Sequence, residues 1–260
     1  MNKQNILPIA LIIFFIALLT GALIYKKAHS KKGSKIYNTR ILSGSHAYKD
    51  KDIAKYEVHG IDVSHHQGNI NWSKIKHPDS SKQIDFVFIR ATVGTRRDSK
   101  FKKNWRQAKK HGFSVGAYHY YWPNKNSTIQ ANNFIKRVEL EKGDFPPVLD
   151  IEKLSQIQNL TNLRKGLKNW ISIVEKHYGT KPIIYTGDSF FRSYLKPDSY
   201  FRNYPRLWIA NYNNVRSPKS NWDFWQYSDR VKISGINELV DVNVFKGDSL
   251  ELNKLKLRED

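Results

Sequence analysis

Three short apolar stretches carry acids in positions where chemistry can use them: Gly60-Ile61-Asp62-Val63-Ser64, Val148-Leu149-Asp150-Ile151-Glu152 and Leu239-Val240-Asp241-Val242-Asn243. Side chains alternate along a strand, so Val148, Asp150 and Glu152 share one face while Leu149 and Ile151 take the other. Burying a charge without a partner is costly, and paired carboxylates on an apolar strand therefore answer to a salt bridge, a metal or catalysis. Four carboxylates brought to one pocket repel one another, and at least one keeps its proton at neutral pH. Such a set suits cleavage of a glycosidic bond, where a protonated carboxyl feeds the leaving oxygen and an ionised one stays beside it. A hard-cation site is the rival reading, with His65, His66 and His119 as additional ligands. His65 and His66 are neighbours and face opposite ways in an extended chain, which weakens that reading; no metal and no cofactor are expected.

The acids need elements to hold them. Short apolar runs at 58–64, 84–92, 113–122, 145–152 and 181–186 read as strands, and 101–111, 127–141 and 162–178 carry helical spacing closed by Gly112, Gly143 and Gly179. Alternation of this kind predicts a parallel sheet with crossover helices. Three more strands follow at 206–212, 223–228 and 239–245, with only loops between them after a short helix at 189–195. The expected fold class is α/β: an irregular, TIM-like β/α barrel of eight strands whose helices are missing in the last third, preceded by an N-terminal transmembrane segment. An open doubly wound sheet is the alternative, but no glycine-rich phosphate loop supports it. In a barrel the flanking Ile, Val and Leu pack outward and the acids point inward at the carboxyl-end mouth. Aromatic side chains collect at the same strand ends, in Tyr118-His119-Tyr120-Tyr121-Trp122, Trp208 with Tyr212, and Trp225-Gln226-Tyr227. Flat rings with polar tips make a platform for sugars, though core packing also accounts for such rings.

The chain has 7 Trp, 14 Tyr and 13 Phe and no cysteine, which excludes disulfides, thiolate metal sites and a cysteine nucleophile. Of the net charge of +21, residues 1–55 hold +8, with ten Lys/Arg against two Asp, so +13 belongs to the remainder. That field favours anionic partners such as lipid or the acidic polymers of a bacterial wall. No nucleic-acid partner is expected, because no zinc finger, arginine-rich patch or RNA-binding signature is present. Residues 1–25 contain an apolar run long enough to span a bilayer and read as a signal anchor or a signal peptide. Residues 26–55 read as a basic flexible tether, 56–250 as the folded domain and 251–260 as a charged tail. Lysines cluster after the apolar run, which by the positive-inside rule argues for a cytoplasmic domain; the activity expected below argues for the outside.

Taken in order, these motifs resemble glycoside hydrolase family 25. They are Gly60-Ile61-Asp62-Val63-Ser64 with His66-Gln67-Gly68 and Ile70-Asn71-Trp72, then Phe88-Ile89-Arg90-Ala91-Thr92 and Gly116-Ala117-Tyr118-His119. Leu149-Asp150-Ile151-Glu152, Trp208-Ile209-Ala210 with Tyr212, Trp225-Gln226-Tyr227 and Val240-Asp241-Val242-Asn243 complete the series. The resemblance implies a lysozyme of the Chalaropsis type, an N-acetylmuramidase that cleaves the β-1,4 bond between N-acetylmuramic acid and N-acetylglucosamine in peptidoglycan. It implies Glu152 as general acid, Asp150 ionised beside it to assist the substrate's own N-acetyl group, and Asp62 and Asp241 as further acids of the pocket. Tyr118, His119, Tyr120, Trp122, Arg90, Trp208, Tyr212, Trp225, Gln226 and Asn243 are the expected substrate-binding residues. A chitinase-like hydrolase and a non-catalytic wall-binding module stay open as alternatives. The expected setting is the bacterial envelope, as a monomer tethered to the membrane with its domain outside the cytoplasm, or secreted if the N-terminus is cleaved.

Overall fold

A computed structural model describes residues 51–212 and 217–258. The expected anchor and most of the tether lie outside the described residues, among which no helix is long and apolar enough to cross a membrane. The strands are β1 (His59–Val63), β2 (Phe86–Val93), β3 (Arg96–Arg97), β4 (Ser114–Tyr120), β5 (Val148–Asp150), β6 (Ile183–Gly187), β7 (Leu207–Ala210), β8 (Phe224–Val231) and β9 (Val240–Phe245). All but the hairpin strand β3 close into an eight-stranded barrel through the β1–β2 pairing. Helices α1 (Phe101–Lys110), α2 (Ser127–Ile135) and α3 (Leu160–Tyr178) cover its first half. Among the described residues no helix separates β7 from β8 or β8 from β9, as the spacing predicted.

The all-parallel expectation fails at one strand. Hairpin strand β3 aside, β1 through β8 pair in parallel around the barrel, but β9 runs antiparallel to both β8 and β1. The short 232–239 connection explains this, because a parallel return needs a crossover of a dozen or more residues. Alternation sorts the strands' side chains into two shells. Phe86, Phe88, Phe145, Trp208, Phe224 and Phe245 fill the barrel interior, with Phe88 stacked on Trp208 at 4.5 Å between ring centroids. Gly60 and Gly116 make room for this aromatic plug, since a Cβ at either position would run into the Phe86 or Phe88 ring. Ile61, Val87, Ile89, Leu149, Ile151 and Val242 face the other way, into the layer shared with Leu167, Trp170 and Ile171 of α3.

Three boundaries differ from the expected ones. Ile53 is 2% exposed in the helical turn Lys51–Ala54, so the packed domain begins before residue 56. The 251–260 stretch is no simple tail: Asp248 and Glu251 form a capping box that starts α4 (Ser249–Leu255), and Leu252 is buried in the core. α2 stops at Ile135 instead of continuing to 141. Val138 turns into the core, and its carbonyl accepts from the Tyr178 hydroxyl at 2.7 Å instead of from a helical N–H.

Candidate active site

Inward-facing positions at the carboxyl end of the barrel leave the plug and become polar: Asp62, Arg90, Tyr118, Tyr120, Asp150, Tyr185, Trp208, Gln226 and Asp241. Together with Ser64, His66, Gln67, Glu152, Tyr212 and Asp229 they line a cavity of about 290 Å³. Asp241 opens its strand instead of ending it. It reaches the mouth because antiparallel β9 starts there, directly opposite Asp62 in register. Gln67 pins the approach, donating from Nε2 to the Leu239 carbonyl at 3.1 Å while its Oε1 accepts from the Ser64 N–H at 2.8 Å.

The four acids fall into two pairs. In the first, Asp62 Oδ2 accepts from Gln226 Nε2 at 2.7 Å and from Asn243 Nδ2 at 2.9 Å. Both amides are held with their NH₂ groups toward Asp62. The Gln226 carbonyl oxygen accepts from the Tyr185 and Tyr212 hydroxyls, each at 2.7 Å, and that of Asn243 accepts from Trp208 Nε1 at 2.8 Å. Asp241 hydrogen-bonds to Asp62, and two carboxyls can do so only with a proton between them. Burial raises Asp62 to about 6, held back by its two amide donors; burial and the nearby Asp62 charge push Asp241 to about 9. The shared proton therefore sits on Asp241, and Asp62 becomes the anion.

The second pair has no such scaffold. Asp150 is buried and its Oδ1 has no hydrogen-bond partner, whereas Glu152 stands exposed one step farther up the mouth. The two carboxyls hydrogen-bond to each other. Burial and the Glu152 charge lift Asp150 well above the usual range; Glu152 is raised too, because its carboxyl is partly desolvated against the pocket wall although the residue as a whole is exposed, and the hydrogen bond from Asp150 restrains it. Both carboxyls are thus raised, Asp150 the more strongly because the deeper group loses more hydration, so the pair holds a proton more readily than two free carboxylates would. Arg90 supplies the nearby positive charge. Its Nε donates to Asp98 Oδ2 at 2.9 Å and its other end meets His65 Nδ1. The Asp98 carboxylate also accepts from the His65 and Lys100 backbone N–H groups.

Glu152 also lines a second cavity of about 440 Å³ with Tyr185, Gly187, Ser189, Phe190, Ser193, Tyr194, Ala210 and Tyr212. One exposed carboxyl thus stands where two cavities meet.

Of the residues expected to bind substrate, Arg90, Tyr118, Tyr120, Trp208, Tyr212 and Gln226 line the pocket. Asn243 lies beneath it, bonded to Asp62. His119 and Trp225 do not belong. Each follows an inward residue by one position and so faces outward: His119 is fully buried between Thr92 and Gln130 and stacked on Trp170, and Trp225 donates to the Asn211 carbonyl. Trp122 lies past the end of β4, packed over Gly94 and under the Arg96 guanidinium. The rival metal set is not assembled either, since His119 points away and His65 is tied to Asp98. Among the described residues no group of three His, Cys, Asp or Glu is placed to hold a metal. Tyr185 is the residue that motif reading missed. Its signal was present: a tyrosine two positions after Ile183 in an apolar strand, on the inward parity.

A β/α barrel with paired acids at its mouth, aromatic walls and an acid shared by two cavities is a glycosidase architecture. The chain belongs to glycosyl hydrolases family 25, whose model matches residues 61–236. An uncharacterized protein of Escherichia coli K12, YegX, is 41% identical over 203 residues, which cover 76% of this chain and 73% of that one. Lysozyme M1 of Streptomyces globisporus is 32% identical over 209 residues, covering 75% of this chain and 70% of the relative. Among solved structures, a family 25 glycosyl hydrolase from Bacillus anthracis superposes with a TM-score of 0.68 at 32% identity, over 78% of this chain and 94% of that one.

Proposed function

We propose that this enzyme is a peptidoglycan muramidase in which Glu152 protonates the leaving oxygen and Asp150 orients the substrate's N-acetyl group. The observation that carries this reading is the place of Glu152, exposed between two adjoining cavities, where a bond joining two sugars would lie. Membership of family 25 supports peptidoglycan as the substrate, as does the relative named Lysozyme M1.

The resting position of the proton sets the first step. Before substrate binds, the deeper Asp150 keeps the proton of its hydrogen bond to Glu152. An N-acetyl N–H arriving at Asp150 favours the carboxylate there, and the proton moves along the existing hydrogen bond to Glu152. Glu152 then gives it to the glycosidic oxygen as the C1–O bond breaks. The acetyl carbonyl oxygen bonds to C1, and the resulting cation lies against the Asp150 carboxylate. Water next adds at C1, giving its proton to Glu152, and the acetyl oxygen leaves. Two displacements at C1 leave its configuration retained. Asp62, kept anionic by Gln226 and Asn243, adds negative potential where positive charge develops.

We further place the domain outside the cytoplasm, as a monomer tethered by the apolar 1–25 segment or released by its cleavage, because its substrate lies there. The test incubates the full chain with insoluble peptidoglycan and identifies the new reducing ends by mass spectrometry, with Glu152→Gln in parallel. Muramic-acid ends that vanish in the variant are expected. N-acetylglucosamine ends, or equal release by the variant, would overturn the assignment.

A further inference from the structure

Another recess lies away from the acid pocket. It is a furrow of about 890 Å³ on the barrel's outer side, between the 97–102 stretch leading into α1 and the 135–140 stretch that follows α2. His177 and Tyr178 of α3 and Leu257 also line it. The furrow exists because α2 ends early: α1 packs on β2 and β4, α2 packs on α3, and two helical turns that would fill the gap are absent.

Its rim is strongly cationic. Residues 96–111 hold eight Lys and Arg against a single acid, Asp98, which is buried and committed to Arg90 and His65. Among the described residues Lys109 is the one of the eight in an ion pair, with Glu141 and Asp144, while Lys100 and Lys103 reach the Asn69 side-chain oxygen and Arg96 lies over Trp122. Arg97 and Lys102 face the furrow from one side and Lys136 and Arg137 from the other; Glu139 is the one other acid on its wall. Arg137 Nε is buried with no acceptor, a donor cost that an anion in the furrow would remove. The floor between the cations is apolar, formed by Phe101, Ile135, Val138 and Leu140. Spaced cations over an apolar floor fit a chain that alternates phosphates with a carbon backbone. Of the furrow's rings Phe101 is buried, and Tyr178 packs edge to face with Phe134 and His177, so no row of open rings is offered to successive bases.

We propose that this furrow binds a linear, base-free phosphodiester polymer with a polyol or sugar backbone, and so docks the enzyme on polymer-bearing wall away from the acid pocket. Binding here is independent of the muramidase assignment and is itself read by calorimetry, with hydrolysis serving only as a control.

The test measures binding of poly(glycerol phosphate) to the full chain in mild detergent, by calorimetry at several salt concentrations. The variant Lys102→Ala/Lys136→Ala/Arg137→Ala is set against a control that removes equal charge elsewhere, Lys76→Ala/Lys165→Ala/Lys232→Ala. Affinity should fall on the order of tenfold for each furrow cation removed, against a few-fold in the control. The salt slope should flatten in the furrow variant alone. Hydrolysis of polymer-free peptidoglycan should be unchanged in both, which also reports that both fold. Equal losses in the two variants would reduce the effect to net charge and overturn the furrow. Tighter binding of a single-stranded DNA of equal phosphate count, or of vesicles containing phosphatidylglycerol, would overturn the choice of partner.

Discussion

The two carboxylate pairs face each other across one pocket and are built on opposite plans. Asp62 is locked by two amides, and each amide is locked in turn by phenol or indole donors, so its charge and direction are set before substrate arrives. Asp150 and Glu152 have each other and the fields of Lys153 and Arg90, and Asp150 keeps a buried oxygen with no partner. A group held by fixed donors has one protonation state favoured, whereas a group without them exchanges its proton at less cost. A group that supplies constant potential gains from them. On the proposed mechanism the scaffolded pair supplies fixed potential and the bare pair carries the proton.

The largest test of that contrast is Glu152→Gln, which removes the transferable proton and keeps the shape. kcat on peptidoglycan should fall by about 10³-fold while wall binding stays, within the range for losing a general acid. A loss confined to KM would sink the assignment. Asp150→Asn should follow at about 10²-fold, since the amide still fills the site but cannot take charge as the acetyl oxygen attacks. An anomer assay by proton NMR sharpens this: retention is expected in the parent enzyme, and inversion would remove the acetyl-assisted route.

For the scaffolded pair, Asn243→Ala should lower kcat/KM by about tenfold and move the acidic limb of its pH profile upward. The sign follows from lost donors, which leave the Asp62 anion less stabilised and its pKa higher still. An unmoved limb would show that Asn243 serves packing instead.

Stability against pH offers a fourth check. Asp62 and Asp241 are raised in the folded state, so the folded chain binds more protons than the unfolded one above about pH 4, the ordinary carboxylate value. Stability should therefore decline as pH rises from there through about 6 for Asp62 and on toward 9 for Asp241. Asp241→Asn should flatten that decline in thermal melts and raise Tm at neutral pH, while activity drops. A steeper decline in the variant would contradict the shared proton.

The smallest effect on catalysis belongs to the outward residues. His119→Gln should leave kcat/KM within twofold yet cost about 1–3 kcal/mol of stability through its Thr92 and Gln130 partners. A large rise in KM would return His119 to the substrate site.

Much of the barrel was legible because it rests on local pattern. Apolar runs of strand length, glycines closing helices and an acid amid β-branched neighbours are sequence properties, and they located eight strands and all four carboxylates. The same alternation, carried one step further, would have excluded His119 and Trp225 and found Tyr185, since each parity follows from a neighbour already assigned. α2 was overextended because helical spacing continues past Ile135, while the hydroxyl that takes the Val138 carbonyl comes from Tyr178, forty residues away.

The sequence by itself thus determined which acids exist, which strands carry them and that their flanks are apolar. Only the tertiary structure decided that β9 runs backwards and brings Asp241 against Asp62, that amides from β8 and β9 lock one pair, and that Asp150 lies deeper than Glu152 and is raised further. Strand direction, depth and partner are relations between distant segments, and desolvation acts on a group only after the rest of the chain has closed around it.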